Sequence, residues 1–265
     1  MGSQSKGLVK KGMMGLGDMG FNTGGEAINW FPGHIAAATC AIRDRLKFSD
    51  FVIEVRDARI PLSSANQDLQ PQLRAKRSLI VLNKKDLANP NIMQQDCLPI
   101  NAHSRSSVTK LLELVEYKLK EAISREPTLL VMVVGVPNVG KSALINNIHR
   151  IASSCLPGKR QSTLKNDSGR VSFVVQGKMK HATVGPLPGV AQDIAGFKVK
   201  LLISLAYMFS ILQGVLVPSI PDIETGLELA LAGSIKDLVV GEDRIAQYLL
   251  AVLNSRGTPF SLEEL

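Results

Sequence analysis

The sequence predicts an α/β fold, a mostly parallel sheet with flanking helices followed by a short helical C-terminal segment. Three observations support this prediction. Apolar runs of strand length occur at residues 51–55, 78–82 and 129–134, which is typical of buried parallel strands. Residues 108–124 carry apolar side chains at three-to-four spacing, which indicates a helix. The third run passes through a glycine-rich loop into another helical pattern, as in sheets whose ligands bind at the strands' carboxyl ends.

The predicted elements alternate along the chain. Strands are expected at residues 51–55, 78–82, 98–100 and 129–134. Helices are expected at residues 35–46, 108–124, 143–148, 223–232 and 241–253. We expect a flexible tail over 1–26, one α/β domain over 27–218 and a helical segment over 219–265.

Composition limits the class of protein. A chain of 265 residues can hold one large domain, or one domain with an appendage. Its 45% hydrophobic and 20% charged residues are those of a soluble globular protein with a core. The net charge of +8 favours a polyanionic partner, although a bound nucleotide could use part of it. Cys40, Cys97 and Cys155 have no paired spacing, so neither a disulfide framework nor a zinc site is expected.

The N-terminal residues leave two interpretations open. They lack the apolar core of a secretory signal and are glycine-rich and mildly basic. A weak organelle-targeting segment and a disordered tail both fit this composition. A myristoylation start is disfavoured because Lys6 stands where Ser or Thr is needed.

The loop at residues 135–142, GVPNVGKS, matches the phosphate-loop pattern G-x-x-x-x-G-K-[ST]. A strand precedes it and a helix follows it, so backbone N–H groups and the helix dipole face an anion. Lys141 would reach the outer phosphates, and the Ser142 hydroxyl would ligate Mg²⁺. We therefore expect residues 138–142, that is Asn138, Val139, Gly140, Lys141 and Ser142, to bind a nucleotide.

Residues 83–86, NKKD, follow the second predicted strand and indicate which base is bound. The Asp86 carboxylate can accept hydrogen bonds from the N1–H and 2-amino groups of guanine, a donor pair that adenine lacks. Asn83 would tie this loop to its neighbours, and the Lys84 stem would lie along the base. The pattern predicts guanine specificity.

The order of the motifs is unusual, because the guanine loop precedes the phosphate loop. Five motifs occur in this order: WFPGH (30–34), DARIP (57–61), NKKD (83–86), GVPNVGKS (135–142) and VGPLPGV (184–190). Together they resemble the circularly permuted P-loop GTPases of ribosome assembly, and most closely the mitochondrial ribosome-associated GTPases of the large subunit. The resemblance extends from about residue 27 to the C-terminus, with two breaks. It implies a longer helical C-terminal domain than residues 219–265 provide, so a truncated segment is one interpretation.

The resemblance implies binding of GTP and GDP with Mg²⁺, slow hydrolysis and docking on a maturing large ribosomal subunit and its rRNA. It implies a mitochondrial location, with the cytoplasm as the alternative. Asn101 and Ala102 would back the guanine, and Asn138 would help to hold K⁺. His34 would assist hydrolysis or, equally, cap a turn. We expect no DNA partner, at most peripheral membrane association, and a monomer.

Both breaks fall where the relatives hold Mg²⁺. The switch pattern P-G-V-T is here PGVA at residues 188–191, without the hydroxyl. The D-x-x-G motif should precede residue 215, but Ile211 stands in the place of the aspartate and only Gly214 remains. DIAG at residues 193–196 has the formal pattern but follows no apolar strand. We expect nucleotide binding with impaired turnover, the alternative to an active GTPase being a hydrolysis-deficient ribosome-binding module.

Two segments leave further alternatives open. Residues 201–217 form an uncharged run near the lower length limit of a membrane span, so a membrane-associated GTPase is a third hypothesis beside the expected core strand. Residues 155–178 form a polar insertion. Altered exon usage could account for the departures at residues 155–178 and 200–213, which transcript sequencing would test.

Overall fold

The computed structural model describes residues 42–89, 97–123, 128–154, 165–166, 169–174, 196–203, 205–215 and 220–255. Several expectations lie outside these ranges: the tail 1–26, the WFPGH motif with His34, and the switch residues 188–191.

The described elements alternate as expected. The strands are β1 (Phe51–Asp57), β2 (Ser78–Asn83), β3 (Leu98–Pro99), β4 (Thr128–Gly135), β5 (Lys165–Asn166), β6 (Gly169–Val174), β7 (Gly196–Ile203) and β8 (Leu205–Val215). The helices are α1 (residues 42–48), α2 (Gln70–Arg74), α3 (Arg105–Ile123), α4 (Lys141–Ser154), α5 (Ile223–Leu231) and α6 (Glu242–Ser255).

The described strands form one sheet in the order β3-β2-β1-β4-β8-β7-β6-β5. The pairs from β3 to β8 are parallel, whereas β7, β6 and β5 continue the sheet antiparallel. The parallel sheet that the sequence predicts is therefore confirmed for the strands around the phosphate loop. The antiparallel extension was not predicted.

Two apolar layers cover the central strands, because successive side chains of a strand point to opposite faces. Val55 and Val133 face one layer, which includes residues of α3, α4 and α5. Val52, Met132 and Val134 face the other, where they join Ile42 and Leu46 of α1, Leu73 of α2 and Leu69 just before α2. This alternation buries both faces of β1 and β4, as parallel strands require.

The apolar run at 201–217 contains strand and not helix in its described part. Residues of β7 and β8 pair antiparallel across it, and β8 lies parallel to β4. The expectation of a core strand is borne out in that β8 borders the phosphate-loop strand. No helix in the described ranges has the length and apolar character needed to cross a membrane.

The register of β8 fixes where the two D-x-x-G positions lie. Ile211 pairs with Val131 inside the sheet, whereas Gly214 pairs with Val134 near its carboxyl edge. Residues 205–215 contain no acidic side chain. β8 therefore supplies no carboxylate beside the phosphate loop.

Candidate nucleotide-binding site

The candidate site lies at the carboxyl ends of β1, β2 and β4. Asp57 ends β1 and pairs with Asn83, which ends β2. Gly135 ends β4, and the phosphate loop leads from it into α4 at Lys141. The sheet thus brings the DARIP, NKKD and GVPNVGKS loops to one edge, as the sequence predicts for a parallel sheet.

Two glycines of the phosphate loop are required because other groups pack closely against them. A Cβ at Gly140 would collide with the Asn83 side-chain amide, and the φ of +96° disfavours other residues. A Cβ at Gly135 would collide with the Val55 carbonyl oxygen. Asn138 between them has φ +58°, a left-handed conformation that asparagine tolerates. These positions explain the glycine spacing by steric contact.

Asn83 connects three loops of the site. Its Nδ2 donates to the Val139 carbonyl oxygen at 2.8 Å, and its Oδ1 accepts from the Ala102 backbone N–H at 2.8 Å. The Asn147 side chain on α4 donates to the Ala102 carbonyl oxygen at 2.8 Å. Asn83 is only 3% exposed, so water does not replace these bonds. The expected tie between the guanine loop and its neighbours is present.

Lys84 occupies a position that the sequence did not indicate. Its backbone is left-handed, with φ +62°, and its Nζ lies 2.8 Å from Asp57 Oδ2. Arg59 binds the same carboxylate through Nε at 3.0 Å and Nη2 at 2.7 Å. Burial alone would raise the pKa of Asp57, but the hydrogen bonds from Arg59 and Lys84 outweigh it and lower the pKa. Asp57 therefore anchors Lys84 as a carboxylate.

The predicted base-reading residue, Asp86, is exposed in a one-turn 3₁₀ helix, Lys85–Leu87, directly after Lys84. Asn101 lies in the neighbouring loop, where its Oδ1 accepts from the His103 N–H at 2.8 Å. The Lys85 N–H donates to the Ile100 carbonyl oxygen at 3.1 Å and joins these two loops. Asp86 is thus open to a ligand beside a loop held in place.

Lys141 is buried within the phosphate loop. It is 4% exposed, and its Nζ donates to the Val136 carbonyl oxygen at 2.6 Å. Burial lowers its pKa from 10.5 to about 7. An incoming phosphate would favour the ammonium form, because an adjacent anion stabilises a charged lysine.

The phosphate loop also contacts the turn after α5, which sequence reasoning missed. Asn138 Nδ2 donates to the Gly233 carbonyl oxygen at 2.6 Å, and the Ser234 hydroxyl donates to the Pro137 carbonyl oxygen at 2.9 Å. Gly233 has φ +73° and ends α5 with a left-handed residue. No local pattern signals these contacts, because they join residues far apart in the chain.

The described donors fit a magnesium ion only in part. Ser142, the second residue of α4, could supply the one hydroxyl ligand that Mg²⁺ takes beside nucleotide phosphates. In the described part of the chain, no group of three His, Cys, Asp or Glu residues could hold a metal ion. Gly214 lies on β8 next to β4, and His34 lies outside the described residues.

The NKKD loop precedes the phosphate loop in the chain, and both loops follow the carboxyl ends of parallel strands. These features define a circularly permuted P-loop GTPase domain. Residues 130–207 match the family described as 50S ribosome-binding GTPase. The fold is similar to a GDP-bound structure of TM YlqF, with a TM-score of 0.50, 21% identity, and coverage of 84% of this chain and 79% of that one.

Sequence relatives place the chain in a family. It is 34% identical to Mitochondrial ribosome-associated GTPase 1 of Mus musculus, over 88% of this chain and 69% of that protein. It is 64% identical to Short integuments 2, mitochondrial, of Arabidopsis thaliana, over 96% of this chain. The chain spans 63% of the length of that relative. It belongs to the family of the mitochondrial ribosome-associated GTPases.

Proposed function

We propose that the chain is a GTP-binding protein, a GTPase that assists assembly of the large subunit of the mitochondrial ribosome. The observation that carries the proposal is the Asn83 bridge. It joins the guanine-type loop to the phosphate loop at Val139 and to the Ala102 loop, with both bonds at 2.8 Å. A base and its phosphates can be bound together only where these loops are held at a fixed distance and orientation.

Each site residue has a role in this proposal. Asp86 reads the guanine edge, the Lys84 stem flanks the base, and Asn101 and Ala102 back it. Gly140 and Lys141 hold the phosphates, and Ser142 ligates Mg²⁺. His34 assists hydrolysis, Gly214 meets the γ-phosphate, and Asn138 helps to hold K⁺. The N-terminal tail (1–26), the GTPase domain (27–218) and the helical segment (219–265) are the proposed divisions, and the protein acts as a monomer.

The sequence lacks two groups that would support GTP hydrolysis, and this favours a second function. β8 has no carboxylate to hold Mg²⁺ through water, and Ala191 lacks the hydroxyl that a switch threonine supplies. Base and phosphate contacts do not depend on these groups. The second candidate is therefore a GTP-binding, hydrolysis-deficient module that docks on the ribosome or its rRNA.

The names of the relatives support the place of action. Proteins that this chain resembles over most of its length are named mitochondrial, ribosome-associated, or both. The net charge of +8 suits a polyanionic partner. We therefore expect the chain in mitochondria, bound reversibly to the large ribosomal subunit.

Nucleotide titration of the purified chain tests the base specificity. We expect GDP to bind and ADP not to compete. Asp86→Asn should weaken GDP by about a hundredfold, since a carboxylate that reads two donors is lost, and should improve xanthosine diphosphate relative to GDP. Asp44→Asn, a change of an exposed aspartate on α1, is the matched control. Equal binding of ADP and GDP would refute the proposal.

GTP turnover with and without large ribosomal subunits separates the two candidates. Stimulated phosphate release above the rate of the chain alone supports the GTPase. Subunit binding that depends on GTP while turnover stays at background supports the hydrolysis-deficient module. Restoring the carboxylate and hydroxyl by Ile211→Asp and Ala191→Thr would test whether those two losses limit the rate.

A further inference from the structure

A basic surface with an exposed aromatic side chain lies at the amino ends of the strands, opposite the carboxyl ends that carry the phosphate loop. It forms where the end of α1 meets the segment between α2 and β2. Lys76 joins the two: its Nζ donates to the Lys47 carbonyl oxygen at 2.7 Å and to the Ser49 carbonyl oxygen at 3.2 Å. We call the surface formed by Lys47, Phe48, Arg74, Lys76 and Arg77 the α1–α2 face.

The backbone fixes this face at the amino ends of the strands. The Val52 N–H donates to the Arg77 carbonyl oxygen at 3.0 Å, and Val52 pairs with Ser78 at the start of β2. The phosphate loop follows the carboxyl end of β4, which runs parallel to β1. A ligand on the α1–α2 face would therefore leave the nucleotide site open.

Phe48 is exposed in a helix that already buries its apolar residues. Ile42 and Leu46 are 1% and 2% exposed and anchor α1 to the sheet, whereas Phe48 is 76% exposed. The packing of α1 does not require an aromatic residue at this position. Burying an aromatic side chain against a partner would instead remove a large apolar surface from water.

Positive charge dominates the two segments that form the α1–α2 face. Residues 42–50 and 74–77 contain six cationic and two acidic side chains. Asp44 pairs with Lys47 at 2.7 Å, but both are exposed, so the pair is strongly screened. The Asp50 carboxylate accepts the Leu130 N–H at 2.7 Å. The cations are scattered in the sequence, and the fold gathers them.

We infer that the α1–α2 face binds RNA with unpaired bases, the arginines and lysines contacting phosphates and Phe48 stacking on a base. Cations that follow a backbone, together with an aromatic platform, are the combination by which proteins hold single-stranded RNA. The inference deepens the proposed docking on the ribosome, on which it rests, by naming the surface and the RNA chemistry. Its position allows RNA and guanine nucleotide to bind together.

Fluorescence anisotropy of an RNA hairpin with an unpaired loop, added to the full chain with GDP, tests this. Phe48→Ala should weaken binding by roughly five- to 150-fold, the effect of losing one stacked base. Arg74→Gln with Arg77→Gln should reduce the magnitude of the slope of log affinity against log salt by about 1.4, because each phosphate contact to a single strand contributes about 0.7. Tyr117→Ala on α3, also 76% exposed, is the matched control and should bind as the parent does.

GDP affinity measured on each variant separates this inference from the proposed function. We expect it to be unchanged, because the face lies away from the nucleotide site. RNA binding that survives both the Phe48 and the arginine changes overturns the inference even if GDP binds. RNA binding lost in these variants while the parent binds no GDP supports the inference and refutes the nucleotide proposal. Binding of anionic vesicles but not of RNA, lost in the same variants, would show a lipid surface and also overturn it.

Discussion

Replacing Asn83 by alanine tests whether one side chain holds the nucleotide site together. The substitution removes an acceptor from the Ala102 N–H and a donor from the Val139 carbonyl oxygen. Ala102 is 1% exposed and Val139 is fully buried, so water cannot readily take the place of the lost amide. Both backbone groups are expected to stay without that partner in the folded protein.

The expected loss follows from these two bonds. A buried polar group that loses its partner costs about 1–3 kcal/mol, so two such groups cost about 2–6 kcal/mol. The free energy of unfolding of a typical domain is only about 5–15 kcal/mol. For a domain of this size the melting temperature should fall by about 5–20 °C. The loosened loops should also bind GDP more weakly.

Urea unfolding without nucleotide measures this loss, with Asn101→Ala as the control. Asn101 makes its bond to the His103 N–H in an exposed part of a neighbouring loop. The control should therefore change stability by no more than about 0.5 kcal/mol. The reasoning fails if Asn83→Ala is no less stable than Asn101→Ala, because the bridge would then contribute nothing beyond a surface bond.

Two further predictions concern charged groups of the site. Burial lowers the pKa of Lys141 to about 7 from 10.5, so between these values the unfolded chain binds a proton that the folded chain has released. Stability without nucleotide should then rise with pH across this window, and urea melts of Lys141→Met should lack the rise; an equal slope in both proteins would contradict the assignment. The pKa of Asp57 in the folded chain is lowered from its ordinary value of 3.8. The carboxylate therefore contributes to the free energy of unfolding above pH 3.8, and this contribution is lost as the pH falls through the folded pKa. Asp57→Asn should cost about 1–3 kcal/mol at pH 7 because it weakens the bonds to Lys84 and Arg59, and should flatten the acid side of the stability profile; an acid profile like that of the parent would refute this.

The sequence predicted those parts of the site that depend on local pattern. The strand before Gly135, the helix after it and the NKKD loop all have short-range signals, and parallel strands bring such loops to one edge. The pairing of Lys84 with Asp57 had no such signal, since it joins two loops across neighbouring strands. β1 also continues through Asp57, two residues beyond the predicted strand, because pairing with β2 extends to Asn83.

The basic α1–α2 face could not be predicted from the sequence, because it depends on contacts between distant segments. The cations of residues 43–47 and 74–77 are far apart in the sequence, and no local pattern groups them. Leu73 of α2 and Leu69 just before it share an apolar cluster with Ile42 and Leu46 of α1, and this packing brings the two groups of cations together. The apolar core therefore brings the parts of this polar surface together. The spacing of apolar residues in the sequence does not reveal that contact.

The C-terminal segment gives the phosphate loop part of its support. Leu227 and Leu229 of α5 are fully buried in the same core as Ile145 of α4. The turn after α5 then donates from Ser234 to the loop and accepts from it at Gly233. Since α5 packs into the sheet layer and its end touches the loop, a change in loop conformation on nucleotide binding must either be accommodated by this turn or move it. The turn after α5 is thus in direct contact with the part of the site expected to respond to phosphate.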